Sequence, residues 1–223
     1  KLLHHKRNDL LKAVLMLENI GKARFTACSL NLYGRPSKEL VQKAKQLLKL
    51  KSEEEESSYR GVSRVKKFLE ALLEQGLHWR VQEKEMVVGA AFDVSERILF
   101  IHPKRNVSEN DLKRLIVHEI GTHIRRAENA KKRKHKLFLI GFPNYLLTEE
   151  GLAVYNEERA GLLSNDILKR YAGRVVAVDL ALKSSFSSVY NTLLEYFSKE
   201  DAFTLTMRVK RGLGDTTKVG AYT

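Results

Sequence analysis

The sequence has one cysteine, Cys28, so no disulfide bond can form within the chain. This composition fits a reducing compartment, and we expect a cytoplasmic protein. The sequence also lacks any apolar run near the ~20 residues of a membrane-spanning helix, so we expect no membrane insertion. Internal repeats are missing too. Hydrophobic residues make up 43% of the chain, which is enough for a substantial core and argues against a mostly disordered protein.

Acidic side chains are scarce beside basic ones: 27 Asp and Glu residues stand against 40 Lys and Arg residues, for a formal net charge of +13. This charge predicts an acidic partner, such as a nucleic acid, an anionic surface or an acidic peptide. The basic residues are spread along the chain, and Trp79 and the tyrosines do not alternate with them as stacking platforms would. The densest cluster, KKRKHK at 131–136, is typical of a solvated loop. An acidic polypeptide is therefore favoured over nucleic acid.

The first part of the sequence predicts helices. An apolar stripe ends at Gly21, and GRPS at 34–37 predicts a break with Ser37 as the N-cap of a new helix. The acidic segment KSEEEESS at 51–58 is typical of a hinge. We therefore expect an N-terminal helical segment over residues 1–55 and a catalytic domain over residues 56–223. One continuous domain is the alternative.

The hydrophobic period changes after this part of the chain. Residues 79–94 and 97–103 alternate as strands do and flank a DVSER turn, which predicts a hairpin or a meander. Ser108 is a good N-cap for a helix that runs through the following apolar residues, and further helices are expected near Thr148, Asn165 and Ser188. The fold class predicted is α+β, with a small sheet covered by one helix and helices elsewhere.

The chemistry centres on HEIGTH at residues 118–123, which is similar to the HExxH zinc signature but has one more residue between the histidines. On an α-helix, residues four apart differ in direction by about 40°, whereas residues five apart differ by about 140°. His118 and His123 can therefore share a metal only if the helix is distorted, and a π-type bulge would bring them towards one face. Gly121 is the residue that tolerates such a distortion most easily.

The surroundings of the motif are apolar, and two histidines with Glu119 would be costly to bury without a metal. A catalytic zinc site needs a third protein ligand, and the candidate segment is LLTEEGLAVYNEE at 146–158. Thr148 is the expected N-cap there, and Glu150 is the preferred ligand, in a gluzincin-like arrangement. Glu149 and Glu157 remain alternatives. The competing interpretation is two unrelated helix histidines beside a surface glutamate.

Four segments together carry a family resemblance: LYGRPS, HEIGTH, TEEGLA and RVKRGLGDT. In this order they resemble the microtubule-associated tyrosine carboxypeptidase family and its bacterial relatives, which have a QEGLA-type motif. The resemblance implies a zincin-like zinc metallopeptidase with His118, His123 and Glu150 as ligands and Glu119 as general base. Eukaryotic members remove the C-terminal tyrosine of α-tubulin, which implies a tubulin-like acidic tail as one partner.

Two differences from the family are visible. Ala130 stands where we expect glycine in many relatives, beyond the site itself. We also expect family members to continue past Thr223, so a C-terminal part of the catalytic pocket is expected to be missing here.

A carboxypeptidase also needs a cation for the free carboxylate of its substrate, and the segment 207–212 supplies Arg208, Lys210 and Arg211. Arg126 is expected either to support the site or to contact substrate. The RILFI strand or the VVGAAF strand could align an extended substrate by edge pairing.

These features predict a zinc-dependent peptidase, with removal of a C-terminal residue from acidic tails as the favoured activity. Three alternatives stay open. The first is a zinc endopeptidase. The second is a basic protein that binds nucleic acid or an anionic surface and has an incidental HExxxH. The third is a degenerate peptidase kept as a binding module, although the intact HEIGTH motif argues against it.

Overall fold

The computed structural model describes residues 1–53, 61–86, 89–103, 108–210, 215 and 217–220, with only the backbone described at 61–62. In chain order, the elements are α1 (Leu2–Glu18), α2 (Phe25–Tyr33), α3 (Lys38–Leu47), α4 (Gly61–Glu74), β1 (Arg80–Glu83), β2 (Ala90–Asp93), β3 (Ile98–Ile101), α5 (Glu109–Leu115), a π-helix (Ile116–Ile124), α6 (Arg125–Lys131), α7 (Leu137–Ile140), α8 (Tyr145–Arg159), α9 (Asn165–Ala181), α10 (Phe186–Leu193) and α11 (Lys199–Lys210). The chain is therefore mostly helical with one small sheet, which is an α+β composition.

These elements form two compact units. The first unit combines Lys1–Glu53 with Ser164–Thr223, and the second is Glu54–Leu163. The division after residue 55 that the sequence suggests stays a prediction, because compact packing does not test which segments fold on their own. Among the described helices, none combines the length and the apolar character that crossing a bilayer requires.

The first unit is helical. The hydroxyl of Ser37 accepts a hydrogen bond from the amide of Leu40, which confirms the predicted N-cap of α3. Helix α3 packs on α9 around Ala172 and Val176. Helices α10 and α11 pack on α9 around Ala177, Val178 and Ala181. Gly173 on α9 permits a close approach, since a Cβ there would lie 2.6 Å from the ring tip of Phe197.

The second unit contains a three-stranded sheet in the order β1-β3-β2. The predicted hairpin is confirmed: β2 and β3 are antiparallel, and in their turn the carboxylate of Asp93 accepts bonds from the amides of Ser95 and Glu96. Strand β1 pairs with β3 in parallel. Strand β3, the RILFI segment, is paired on both sides, so the expectation that it could offer an exposed edge is wrong. Strand β2 from the VVGAAF segment lies at an edge, although its Val87 and Val88 fall outside the described residues.

The core of the second unit joins the sheet to the HEIGTH helix. Side chains of β3, α4 and the π-helix pack together and are almost fully excluded from solvent: Phe68, Leu72, Leu99, Ile101, Ile120 and Ile124. Burying six such side chains stabilises this arrangement by roughly 1.5–3 kcal/mol for each one. The apolar face of the π-helix therefore packs on the sheet, and the polar residues of the π-helix lie outside that face.

Candidate functional site

The HEIGTH motif lies on the π-helix Ile116–Ile124, which confirms the predicted distortion of this helix. A hydrogen-bond pattern that closes every five residues places residues five apart on one side, so the rings of His118 and His123 lie together. Their centroids are 4.9 Å apart. The hydroxyl of Thr122 donates to the carbonyl of Val117, also five residues away, at 3.2 Å. The extra residue in the motif is thus accommodated within the helix.

Gly121, which the sequence singles out as the residue that tolerates a distortion most easily, is not required to be glycine by the geometry around it. Its φ is not positive, and a Cβ built on it would meet only the carbonyl oxygen of Ile116, at 4.0 Å. Neither the backbone nor the packing of the described residues requires glycine here. The burial of Ile120 and Ile124 against the sheet fixes which face of the helix points into the core.

The acidic residues of the site come from α8, which packs along the π-helix. Helix α8 begins at Tyr145, after Asn144 in a left-handed conformation with φ 59°, so the expected N-cap at Thr148 is wrong. Asparagine adopts this conformation readily, and it follows the Pro143 turn. The earlier start puts Glu149 and Glu150 in the second turn of the helix.

Three side chains converge between the two helices. The Nε2 atom of His118 lies 3.6 Å from one oxygen of Glu150, and the Nε2 atom of His123 lies 3.8 Å from the other. One ligand atom from each residue lies within 4.8 Å of the others. Tetrahedral ligands about 2.1 Å from zinc are about 3.4 Å apart, so this donor set fits such an ion with small adjustments.

The other ring nitrogens of the two histidines contact different carboxylates. The Nδ1 atom of His118 is 2.6 Å from Glu157, and the Nδ1 atom of His123 is 2.8 Å from Glu149. Glu149 and Glu157, which the sequence offers as alternative ligands, therefore contact the imidazoles at the nitrogen that does not face Glu150. The ring of His123 also stacks on Phe92 of β2, with centroids 5.7 Å apart.

Two arginines hold these carboxylates. Arg114 donates to Glu157 at 3.0 Å and to Asp111 at 3.0 Å. Arg126 donates to Glu149 at 3.0 Å and to the carbonyl of Leu139 at 3.2 Å. Support of the site by Arg126 is one of the two roles that the sequence suggests for it.

The role of Arg114 is missed by the sequence analysis. One signal for it exists, since Arg114 precedes His118 by four residues and so lies one turn earlier on the same helix face. Glu150 and Glu157 are seven residues apart, or two turns, which also puts them on one face of α8.

Comparison with known protein families shows which family the chain belongs to. The family model for the microtubule-associated tyrosine carboxypeptidase matches residues 1–223. The chain belongs to this family. No individual curated protein matches it. Membership in the tyrosine carboxypeptidase family assigns the chain to a peptidase family that acts on the C-terminal tails of proteins, so its substrate is a polypeptide.

Burial and neighbouring charges perturb the ionisable groups of this family member. Burial opposes a charge on His118, but its contacts with Glu150 and Glu157 outweigh burial and raise its pKa to about 9. Burial raises the pKa of Glu119, against the opposing charges of His118 and His123. Burial also acts to raise the pKa of Glu149, but hydrogen bonds from His123 and Arg126 dominate and lower it.

The basic residues expected to read a substrate carboxylate lie in the first unit. Arg208 and Lys210 are on α11, and Arg211 falls outside the described residues. Lys210 is only 5% exposed, and burial lowers its pKa. Binding of a substrate carboxylate by Arg208, Lys210 or Arg211 stays a prediction.

Proposed function

We propose that the chain is a zinc-dependent carboxypeptidase with a zincin-like fold, which releases the C-terminal residue of acidic polypeptide tails. His118, His123 and Glu150 are the ligands in this proposal. The observation that carries it is the convergence of two Nε2 atoms and one carboxylate, at 3.6 and 3.8 Å, on a helix whose π-geometry accommodates the five-residue spacing. Family membership supports the peptidase chemistry.

When bound, zinc lowers the pKa of its water towards ~7 and polarises the carbonyl of the scissile bond. Glu119 is the general base in this proposal: it takes a proton from the attacking water and passes it to the leaving amine. A carboxylate whose pKa is raised by burial suits this role, because its proton affinity is closer to that needed near neutral pH. His118 and His123 are close enough to act on its charge, which supports its position beside the ligands.

Strand β2 is the proposed alignment edge for substrate. Among the described residues, it has a strand partner on one side only, so its other side can pair with an extended peptide. Phe92 of β2 stacks on His123, so a peptide paired with this strand would run close to the ligand cluster.

The acidity of the substrate is proposed from charge. Residues 132–136 are all exposed and include four cations, and they belong to the same unit as the ligand cluster. Together with the net charge of +13, they favour an acidic tail, with a tyrosine at its end as in eukaryotic relatives. Attraction of this kind weakens with salt, so KM for an acidic peptide should rise as ionic strength increases. The cytoplasmic location stays a prediction.

The test compares an acidic peptide ending in a free tyrosine with the same peptide amidated at its C-terminus. We expect release of tyrosine from the free peptide alone, zinc at one equivalent, and loss of about 10²–10⁴ in kcat for Glu119→Gln with the zinc retained. Glu158→Gln is the matched control, since it makes the same change at an exposed position of α8. Equal cleavage of both peptides would replace this proposal with a zinc endopeptidase. Zinc-free protein that binds nucleic acid would replace it with the binding-protein alternative.

A further inference from the structure

The two histidines have parallel sets of partners. Atom Oε1 of Glu157 contacts both Nδ1 of His118 and the guanidinium of Arg114, at 2.6 and 3.0 Å. Atom Oε1 of Glu149 contacts both Nδ1 of His123 and the guanidinium of Arg126, at 2.8 and 3.0 Å. Each imidazole thus contacts a buried carboxylate, and that carboxylate contacts an arginine. We call these two sets of three residues the Glu157 relay and the Glu149 relay.

This arrangement has a chemical consequence for the imidazole rings. A histidine that binds a metal is neutral and carries one proton. A carboxylate at Nδ1 holds that proton there, which leaves the lone pair of Nε2 for the metal. Both Nε2 atoms face Glu150. The carboxylates also fix the ring rotation, and their negative charge makes the imidazole a better donor to a metal. The arginines compensate the cost of burying those charges.

We propose that Glu157 and Glu149 are positioning residues that set the tautomer and orientation of His118 and His123, with Arg114 and Arg126 holding the carboxylates in place. The inference rests on the proposed zinc chemistry but concerns groups that do not bind the ion themselves. Glu157 is fully buried and Glu149 is 8% exposed, and the side chain of Arg114 is 10% exposed against 29% for Arg126. Water screens charges less where burial is greater, so the Glu157 relay should affect zinc affinity more than the Glu149 relay does.

Substitutions can separate orientation from charge. Glu157→Gln retains an oxygen that accepts from both His118 and Arg114, so it removes charge but keeps the geometry. Glu157→Leu removes the acceptor but leaves Arg114 buried without this partner, which threatens folding. The double variant Arg114→Met with Glu157→Leu replaces the buried pair by apolar side chains of similar size, which proteins often tolerate. Glu158→Gln on the exposed side of α8 is the matched control.

The same logic applies to the second relay. Glu149→Gln keeps an acceptor for His123 and Arg126, and Arg126→Met with Glu149→Leu removes the pair. These variants keep the inference testable if the first double variant does not fold.

The experiment measures zinc affinity by competition with a chelator, the melting temperature of the metal-free protein, and the imidazole tautomers of the zinc-loaded protein by nitrogen NMR. We expect the folded Arg114→Met, Glu157→Leu variant to lose about 10- to 100-fold in zinc affinity. The melting temperature of its metal-free state should fall only by the contribution of the lost bond from Arg114 to Asp111, which is smaller in free energy than the loss in zinc affinity. Its His118 should lose the protected Nδ1 proton. Glu157→Gln should lose less zinc affinity than the double variant. Each Glu149 variant should lose less than its Glu157 counterpart, and Glu158→Gln should keep the wild-type affinity.

Two results would overturn the inference. One is wild-type zinc affinity in both folded double variants. The other is an affinity loss accompanied by an equal loss of metal-free stability with the His118 tautomer unchanged, which is the result of a purely structural role. Failure of the proposed function is a different result, because wild-type protein itself would then bind no zinc.

Discussion

Gly121 is the residue of the HEIGTH motif that tolerates a helix distortion most easily, yet the structure does not require glycine at this position. Replacing glycine by alanine inside a helix stabilises it by about 0.5–1 kcal/mol, provided that the new methyl group fits. At Gly121 the methyl group would meet only a carbonyl oxygen at 4.0 Å, which is ordinary contact. Gly121→Ala should therefore keep or raise the free energy of unfolding.

Gly173 provides the comparison, since it also lies inside a helix. Its methyl group would stand 2.6 and 2.8 Å from two ring atoms of Phe197 and 3.3 Å from Leu205. The ring of Phe197 packs against two core clusters and cannot move away freely. Overpacking of this kind costs about 1–3 kcal/mol, which offsets or exceeds the gain in helix propensity. Gly173→Ala should thus be less stable than Gly121→Ala by about 1–3 kcal/mol.

The assay is chemical unfolding followed by circular dichroism, with zinc content measured on each purified variant. A difference of 1 kcal/mol corresponds to a shift of about 2–4 °C in the melting temperature of a chain of this size. Gly121→Ala should also keep its zinc, because the π-geometry does not depend on a glycine. The reasoning is refuted if Gly121→Ala is the less stable of the two, or if it folds but loses the metal.

Three further predictions concern the second unit. The pKa of Glu128 lies below its ordinary 4.5 because hydrogen bonds from Lys131 and Trp79 outweigh the effect of burial. Its contribution to stability is therefore present above that value and is lost as the pH falls through the lowered pKa, so an acid titration of Trp79 fluorescence should show a transition that Glu128→Gln removes. Ser108 caps α5 through the amide of Asp111 at 3.0 Å, and Ser108→Ala should cost about 1 kcal/mol in chemical unfolding. Zinc at 100 times its Kd should stabilise the protein by about 2.7 kcal/mol, and a chelator should reverse the shift in melting temperature.

Local signals in the sequence predict local structure well here. Ser37 and Ser108 begin helices where their hydroxyl groups reach the amide three residues on. The alternating period of 79–102 predicts strands, and the DVSER turn predicts their hairpin. The five-residue spacing of His118 and His123 predicts a π-helix, because no α-helix directs both towards one point.

Non-local relationships could not be predicted in the same way. The parallel pairing of β1 with β3 skips over β2, and no periodicity specifies that order. The sequence prefers Glu150 to Glu149 and Glu157 as the ligand, but it does not specify how α8 is rotated against the π-helix, and that rotation decides which carboxylate faces the two Nε2 atoms. The contacts of the two Nδ1 atoms depend on the same rotation.

The π-helix also bears on how the chain can change over generations. Each residue of a π-helix turns the chain by less than a residue of an α-helix, so five π-helical steps turn it about as far as four α-helical steps. The extra residue of the motif is therefore taken up locally, and the residues after it keep their directions: Ala127 stays buried and Glu128 stays at the indole of Trp79. An α-helical HExxH motif with one residue fewer would leave this side of the core in place, so the length of the motif can change without rebuilding the unit around it.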